Sequence, residues 1–357
     1  MRLKKQNSKP EVLSPTPARI IVPTSQPLAS RSLRTKAAIG LASLLSLAVP
    51  IRAQTTTEVN VLRNTVGDRI ETATILSGDV GITGASYSEG HEADIKLDKF
   101  GGEGTIGVPQ QLGTLPIGWQ PRLQGEMGWV SATQNFTAAD LYGGQSLTGA
   151  QSRFKDFSIA FGGGARFWFT NHFSISPTSM GMYGHTNNTF DPNGNLWAQS
   201  QQQNAKDLGL VDYTVDTWTI RPAADFQYVY TWRRTIFTLT STPTYFHTES
   251  FKSSNPNVSV NGDSETWLNK IDVDVPLSME LWGHELRTGG FISRTELYGD
   301  IRNGLNIDHL YEVHGRLVLD YLKQFWKAQW FGVGGSYLWG PNGLSGFSIG
   351  VDVSFQF

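Results

Sequence analysis

Residues 347–357, FSIGVDVSFQF, alternate between apolar and polar side chains up to the final Phe357. Because successive side chains of a β-strand point to opposite faces, this segment predicts a strand with one apolar and one polar face. A soluble β-sandwich would bury the apolar face in a core. A transmembrane barrel would turn the apolar face toward lipid and the polar face toward its lumen.

The composition favours strands that span a membrane. The 357 residues include 38 Gly, 11 Trp, 11 Tyr and 19 Phe, which suit curved sheets with aromatic girdles. No stretch reaches the roughly 18 consecutive apolar residues of a transmembrane helix, so a chain that spans a membrane would do so as strands. The absence of Cys excludes disulfides, a thiol nucleophile and a lipid anchor on Cys.

The N-terminal part has the features of an export signal. Basic residues precede an apolar run over residues 37–49, which Pro50 ends and the small residue Ala53 follows. We therefore expect residues 1–53 to be an extended signal peptide or leader. This leader holds nine of the 29 Lys and Arg and one of the 31 Asp and Glu, which leaves 20 basic and 30 acidic residues. An acidic mature chain gives no electrostatic reason to bind nucleic acid.

Residues 54–72 are expected to form a short lead-in, and residues 73–357 the barrel. In the lead-in, apolar side chains recur at helical spacing, at Val59, Leu62, Val66 and Ile70. Gly67 and several Thr residues weaken this pattern. The lead-in is therefore either a short helix in the lumen or at its periplasmic mouth, or a flexible segment.

Segments with a period of two follow one another through the rest of the chain. In residues 214–232 the aromatic side chains from Trp218 to Trp232 share one face, and Arg221 and Asp225 lie on the other. We predict an all-β fold, a transmembrane antiparallel up-and-down β-barrel of about 12 strands. The expected strands are residues 73–87, 92–107, 119–133, 152–169, 172–185, 214–232, 235–251, 265–282, 285–299, 309–322, 328–339 and 344–357.

The connections alternate in length as this fold requires. Those after the fourth, sixth, eighth and tenth strands are short, whereas those between are longer and polar, the longest over residues 186–213. Outer-membrane barrels have short periplasmic turns, longer external loops and periplasmic termini. Aromatic residues crowd the short turns, as expected at a membrane interface. A secreted soluble sandwich or barrel would have too little interior to bury them.

Two short motifs have better structural than functional interpretations. Gly102, Gly104 and Gly107 match a dinucleotide-binding pattern, but β-type sequence surrounds them and no helix follows. Asp191, Asn193 and Asn195 have calcium-loop spacing without the Gly and distal Glu of a complete loop. We therefore expect no cofactor, no metal and no catalytic residue from these motifs.

An outer-membrane lipid-modifying enzyme is an alternative. Outer-membrane phospholipase A uses a Ser-His-Asn set in which His and Ser lie two residues apart on a strand. The nearest candidates are His185 and His247, and neither has Ser two residues later. Both are therefore interpreted as loop or rim residues, and the chain is not expected to be an enzyme.

Charged residues fall on the polar face of the predicted strands and are candidates to line the lumen. Mixed charges favour ion pairs that fill or narrow the interior, and the functional alternative is a polar pore whose selectivity they set. The lumen-lining candidates are Arg122, Glu126, Asp156, Arg166, Arg221, Asp225, Lys270, Asp272, Asp274, Glu280, Arg316 and Asp320.

Two segments resemble a known family. Residues 62–71, LRNTVGDRIE, which lead into residues 73–79, ATILSGD, are similar to the entry of the solitary autotransporter-like outer-membrane β-barrels, which lack a passenger. The final strand resembles the terminal signal that the barrel assembly machinery recognises, with Phe347, Phe355 and Phe357 as candidate signal residues. The resemblance implies a twelve-stranded barrel and no catalytic residues.

The resemblance and the strand pattern together predict a bacterial outer-membrane protein. Its function is expected to be that of a passive pore or structural barrel, with a surface adhesin or receptor acting through the long loops as a further alternative. The expected partners are outer-membrane lipid and lipopolysaccharide, the barrel assembly machinery, and small solutes in the lumen, but no nucleic acid.

Overall fold

The computed structural model describes residues 67–70, 72, 82–89, 93–106, 110–112, 117–136, 141–142, 145–146, 148–320 and 328–356. The predicted leader, residues 1–53, most of the lead-in, and residues 73–81 of the predicted first strand lie outside these residues. Among the described residues, no helix is long and apolar enough to cross a membrane.

Twelve long strands make up most of the described chain, and their positions agree closely with the alternation in the sequence. They are β1 (Ile82–Glu89), β2 (Ala93–Thr105), β3 (Gly118–Asn135), β4 (Gln151–Trp168), β5 (Phe173–Asp191), β6 (Tyr213–Trp232), β7 (Thr235–Ser253), β8 (Asn261–Leu281), β9 (His284–Gly299), β10 (His309–Asp320), β11 (Ala328–Trp339) and β12 (Leu344–Gln356). Two-residue strands at Gln110–Gln111, Leu141–Tyr142 and Gln145–Ser146 accompany them.

Each long strand pairs antiparallel with the next, and the last strand returns to the first. The pairing of β1 with β12 runs from Ile82 opposite Val351 to Glu89 opposite Leu344. Beyond the start of β1, residues 355–356 pair in parallel with the end of β2. The sheet therefore closes, and the predicted antiparallel up-and-down barrel is confirmed.

The two ends of the barrel have different connections. At one end, called the short-turn end, β6 and β7 are joined through Arg233, and β8 and β9 through Trp282 and Gly283, all with positive φ. At the other, called the long-loop end, the connections include helix α1 (Leu196–Asp207) and helix α2 (Asp300–Leu305). Strand β12 ends at the short-turn end.

The outer wall is apolar. Large side chains that alternate with inward-facing polar ones stay exposed on the protein surface, including Phe161 at 68%, Ile271 at 50% and Ile349 at 77%. A soluble protein rarely exposes such a continuous apolar surface, so this wall fits a lipid environment rather than the sandwich alternative.

Exposed aromatic residues lie toward both ends of this wall. Trp232 and Trp282 are at the short-turn end, and Trp267 and Tyr298 lie toward the long-loop end. Aromatic rings with one polar and one apolar edge are enriched at the two interfaces of a membrane. Their positions therefore agree with a wall that crosses the membrane between the two ends.

The structure differs from the sequence-based prediction in two strands. Strand β5 continues to Asp191, beyond the predicted end at residue 185. Its inward face continues there through the polar side chains of Thr186 and Asn188, which are both buried. In β8 the pairing with β9 shifts between Pro276 and Met279, which interrupts the regular alternation.

An apolar cluster fills the long-loop end of the barrel. Residues 67–70 and 72 are helical, and the side chain of Ile70 is fully buried against side chains of the strands, the loops and α1. The buried members of this mouth cluster are Ile70, Phe136, Ala150, Phe190, Ala198, Ala205, Leu210, Val211, Tyr213, Val215, Val258 and Val260.

Candidate functional site

Two ion pairs cross the lumen between β3 and β6. Arg122 Nη1 lies 3.1 Å from Asp225 Oδ2, and Arg221 Nη2 lies 2.5 Å from Glu126 Oε1. Strands β4 and β5 separate β3 from β6 in the sheet, so both pairs span the interior. Each strand contributes one cation and one anion, which makes the two pairs charge-swapped copies of each other. Sequence alternation placed these four residues inside but did not identify their partners.

Small residues on β4 leave room for these long side chains. A Cβ added at Gly162 would collide with the Ser179 carbonyl oxygen and lie 2.8 Å from Met180 Cγ. Met180 Sδ in turn lies 2.7 Å from Arg221 Nη2. The glycine therefore permits the close packing of β4 against β5 beneath the Arg221 side chain.

A second group of ion pairs lies along β8, β9 and β10. Arg316 contacts both carboxylate oxygens of Asp272, at 2.7 and 2.6 Å, and Arg287 Nε lies 2.7 Å from Asp274 Oδ1. A Cβ added at Gly289 would lie 3.3 Å from Arg316 Nε, so this glycine of β9 leaves space for Arg316 to reach β8. Bidentate Arg–carboxylate geometry is the strong form of such a pair.

Two further lumen candidates contact hydroxyl groups of the neighbouring strand. Thr186 of β5 donates a hydrogen bond to Asp156 of β4, and both side chains are buried. Arg166 Nε of β4 lies 3.2 Å from Ser176 Oγ of β5. These contacts connect β4 to β5 along the inner wall, next to the strands that carry the crossing pairs.

Lys270 contacts an aromatic ring. Its Nζ lies 5.2 Å from the centre of the Phe291 ring, which also stacks on the His314 ring at 4.8 Å. A cation over an aromatic face is attracted by the ring quadrupole. This contact places Lys270 beside the ion pairs of β8, β9 and β10.

The last two lumen candidates lie at the short-turn end. Glu280 is exposed there, so it does not join the buried pairs. The side chain of Asp320 lies outside the described residues, although its backbone pairs with Trp330.

The candidate assembly residues are only partly described. Phe347 points outward, 69% exposed, with its ring 4.9 Å from that of Tyr337. The backbone of Phe355 pairs with β11 and β2, and Phe357 lies outside the described residues.

The helical residues 67–70 are held at the long-loop end by close backbone packing. A Cβ added at Gly67 would lie 3.5 Å from the Ser259 carbonyl oxygen. One added at Gly304 of α2 would lie 2.6 Å from the Asp68 carbonyl oxygen. The short helical segment therefore rests directly on the backbone of two long-loop connections.

Asp68 of this segment has a shifted protonation equilibrium. Burial, followed by the nearby Asp300 carboxylate, raises the pKa of Asp68 to about 6, whereas Arg69 lowers it. Because this pKa is raised above the value in an unfolded chain, the contribution of Asp68 to folding stability is present at low pH. That contribution is lost as the pH rises through about 6.

Helix α1 covers the same end of the barrel. Asn195 caps its N-terminus by accepting a hydrogen bond from the Ala198 backbone N–H at 3.0 Å. At its C-terminus, Asn257 Nδ2 donates to the Asp207 carbonyl at 2.9 Å. The region predicted as a long polar loop therefore contains a helix that is tied to the mouth cluster.

Asp191 and Asn193, whose spacing resembles that of a calcium loop, form a turn before α1. The Asn193 N–H donates to Asp191 Oδ1 at 2.9 Å, and Asn193 has a positive φ. Asn and Asp favour such turns because their side chains bond the nearby backbone and tolerate the left-handed conformation.

His185 and His247 face outward in two similar arrangements that the sequence analysis did not find. His185 Nδ1 lies 2.6 Å from Asp216 Oδ1, which also accepts a hydrogen bond from Tyr183. His247 Nδ1 lies 2.9 Å from Asp263 Oδ1, which likewise accepts from a Tyr two residues before the His. Among the hydrogen bonds of the described residues, no Ser or Thr hydroxyl contacts either imidazole. A repeated Tyr-x-His pattern was the available sequence signal.

Breaking one buried lumen pair is expected to destabilise the barrel. Glu126→Gln removes the negative charge that neutralises Arg221 in a buried setting and should cost about 3–5 kcal/mol in free energy of unfolding. The measurement is urea-induced unfolding of the protein in detergent micelles, followed by tryptophan fluorescence.

Glu285→Gln is the matched control, because Glu285 pairs with Arg234 at an exposed site. Exposed pairs contribute about 0–1 kcal/mol, so this variant should unfold almost like the unmodified protein. Equal destabilisation by the two substitutions would contradict the structural role of the crossing pair.

Comparison with protein families matches residues 108–350 to the model described as the solitary outer membrane autotransporter beta-barrel domain. Among solved structures, the transport unit of the autotransporter AIDA-I from Escherichia coli is similar, with 10% identity and a TM-score of 0.50 over 90% of this chain and 98% of that chain. The translocator domain of NalP from Neisseria meningitidis has 10% identity and a TM-score of 0.49 over 82% and 94% of the two chains. Comparison with curated proteins found no match.

The family match covers more than half of the chain, and the structural similarity supports the same barrel fold. Autotransporter β-barrel domains reside in the bacterial outer membrane. The chain therefore belongs to the family of solitary outer-membrane autotransporter β-barrel domains.

Proposed function

We propose that this protein is a passive pore of the outer membrane whose long-loop end is closed at rest by the helical residues 67–70 and 72. In the proposed orientation, the long-loop end faces the cell exterior and β12 ends in the periplasm. The alternation of short turns and long loops supports this orientation, because outer-membrane barrels place their short turns in the periplasm.

The lining of the barrel supports a route for polar solutes. Charged, amide and hydroxyl side chains cover the inner wall, including the buried Gln120, Ser158, Thr219 and Thr248. Such a wall can bind water and small polar solutes, whereas an apolar interior would exclude them. The ion pairs narrow this route and set the charges that a solute meets.

The main support for the closed state is the full burial of Ile70 within the mouth cluster. This cluster joins the N-terminal segment to α1 and to strand ends on several sides of the barrel. Opening requires the helical segment to separate from the cluster, which exposes apolar surface and is therefore unfavourable at rest.

Introducing charge at Ile70 is expected to open the pore. Ile70→Asp places a carboxylate in the apolar cluster, which destabilises the closed state. In planar lipid bilayers it should raise the frequency of conductance steps at least about tenfold. A tenfold rise corresponds to a change of roughly 1.4 kcal/mol in the free energy of opening. Leu196→Asp is the matched control, because Leu196 is 79% exposed on α1. A folded Ile70→Asp protein that stays silent would contradict the pore. Equal conductance by the unmodified protein would contradict its closure.

A lipid-modifying activity is a second candidate, and the outward-facing His–Asp pairs are the observation in its favour. A His–Asp pair can activate a nucleophile, but hydrolysis through an acyl intermediate also needs a hydroxyl at the other imidazole nitrogen. A surface adhesin or receptor has weaker support, because the longest loop packs α1 into the mouth of the barrel.

The pore proposal predicts that these histidines do not act on lipid. Cells that overproduce the His185→Ala, His247→Ala double variant should have the same phospholipid and lipid A composition as cells that overproduce the unmodified protein. Mass spectrometry of extracted lipids measures this composition. Lipid products that appear with the unmodified protein and disappear with the double variant would instead favour the enzyme.

A further inference from the structure

A groove of about 500 Å³ runs across the outer wall from β5 to β10. Two neighbouring rows of paired residues form most of its lining, which also includes Thr240, Lys270 and Ser293. The first row crosses β5 to β9 and is apolar, and the second crosses β6 to β10 and becomes polar along its length. In order, the first row is Phe173, Tyr228, Leu239, Ile271 and Ile292, and the second is Phe226, Ser241, Asn269, Arg294 and Tyr311.

The groove rises from one end of the barrel toward the other. Phe173 begins β5 at the short-turn end, whereas Tyr311 lies near the start of β10 at the long-loop end. Strand tilt and register stagger in a closed barrel produce such diagonal rows. The groove therefore has a lower apolar end and an upper end with a cation.

Polar groups in the second row are ordered although they face outward. Trp267 Nε1 donates to Ser241 Oγ at 2.8 Å, and Ser241 Oγ donates to Asn269 Oδ1 at 3.0 Å. These bonds orient the exposed Asn269 side chain so that its amide nitrogen remains available as a donor. Hydrocarbon cannot accept a hydrogen bond, so a polar group at this position gains from a lipid that brings an acceptor.

Arg294 supplies the charge at the upper end. Its Nε lies 2.6 Å from Glu296 Oε1, and its guanidinium carbon lies 5.5 Å from the centre of the Tyr311 ring. The side chain remains 49% exposed. Glu296 and the ring thus hold the guanidinium in place, and within the described residues its two terminal nitrogens have no hydrogen-bond partner. A guanidinium edge of this kind binds phosphate in bidentate geometry.

We propose that this groove binds lipopolysaccharide, with a lipid A phosphate on Arg294 and Asn269 and an acyl chain along the apolar row. The choice of lipid rests on the proposed orientation, which places Arg294 in the outer leaflet. The groove volume falls within the roughly 300–1,000 Å³ of specific small-molecule sites. The occupant is a lipid rather than a soluble anion because the apolar row is continuous with the phosphate-binding end.

The test measures lipid A binding to the full barrel in detergent by native mass spectrometry, with titration to obtain dissociation constants. Arg294→Ala and Asn269→Leu should each weaken binding about tenfold, the effect expected from losing a charge-assisted or a neutral hydrogen bond to the phosphate. Arg153→Ala is the matched control, because Arg153 is 48% exposed on β4 and also has a carboxylate neighbour, Asp191. It should leave the dissociation constant unchanged.

Each other outcome overturns a stated part of the proposal. Equal loss with Arg153→Ala would make the binding a general charge effect, and equal affinity for dephosphorylated lipid A would remove the phosphate contact. Tighter, Arg294-dependent binding of phosphatidylglycerol would assign the groove to the other leaflet. A dimer of the protein that is detected by its mass and lost in Arg294→Ala would assign the groove to a contact between two copies of the chain. Conductance is measured separately, so failure of lipid binding is distinguishable from failure of the pore.

Discussion

The pairing of β12 with β1 is the constraint on which the rest of the molecule depends. In hydrocarbon, each backbone N–H and C=O without a partner costs several kcal/mol by order of magnitude, so an open sheet edge is not tolerated. The run of pairs from Ile82–Val351 to Glu89–Leu344 removes that edge. Closure also separates an apolar outside from a polar inside, and therefore determines which alternating side chains face lipid and which face one another.

The interior then has to satisfy its own polar groups. Charged side chains that face inward find partners across the lumen, as Arg122 and Arg221 do, or along neighbouring strands, as Arg316 does. At the long-loop end the solution is different, because an apolar cluster includes the N-terminal helical residues and α1. A narrow polar interior beneath an apolar closure is the physical basis of the proposed gated pore.

Much of this architecture could be predicted from sequence because a barrel strand has a simple period of two. The alternation around Arg221 and Asp225 identified β6 and its inward face correctly. Alternation failed at the end of β5, where the inward residues are uncharged polar ones, and near Ser278 of β8, where a positive φ accompanies the shift in pairing. Both failures arise because the two-residue alternation no longer predicts which face points inward once the two faces become similar in polarity or the pairing register changes. The partners within the site could not be predicted in the same way. The contact of Glu126 with Arg221 depends on barrel curvature and on the space at Gly162. The outer groove depends on the pairing register between strands that are distant in sequence.

Closure can be tested directly, because the chain contains no natural Cys. The measurement is disulfide formation in the Ser86→Cys, Phe347→Cys variant after mild oxidation in membranes, detected by the altered mobility of the unfolded protein on a gel. Ser86 lies directly opposite Phe347, close to disulfide distance, whereas Ser88 lies opposite Ser345 and is diagonal to Phe347. A closed barrel with this register predicts efficient cross-linking in this variant and little in the Ser88→Cys, Phe347→Cys control. No cross-link in the first variant, or equal cross-linking in both, would contradict the closed barrel with this register.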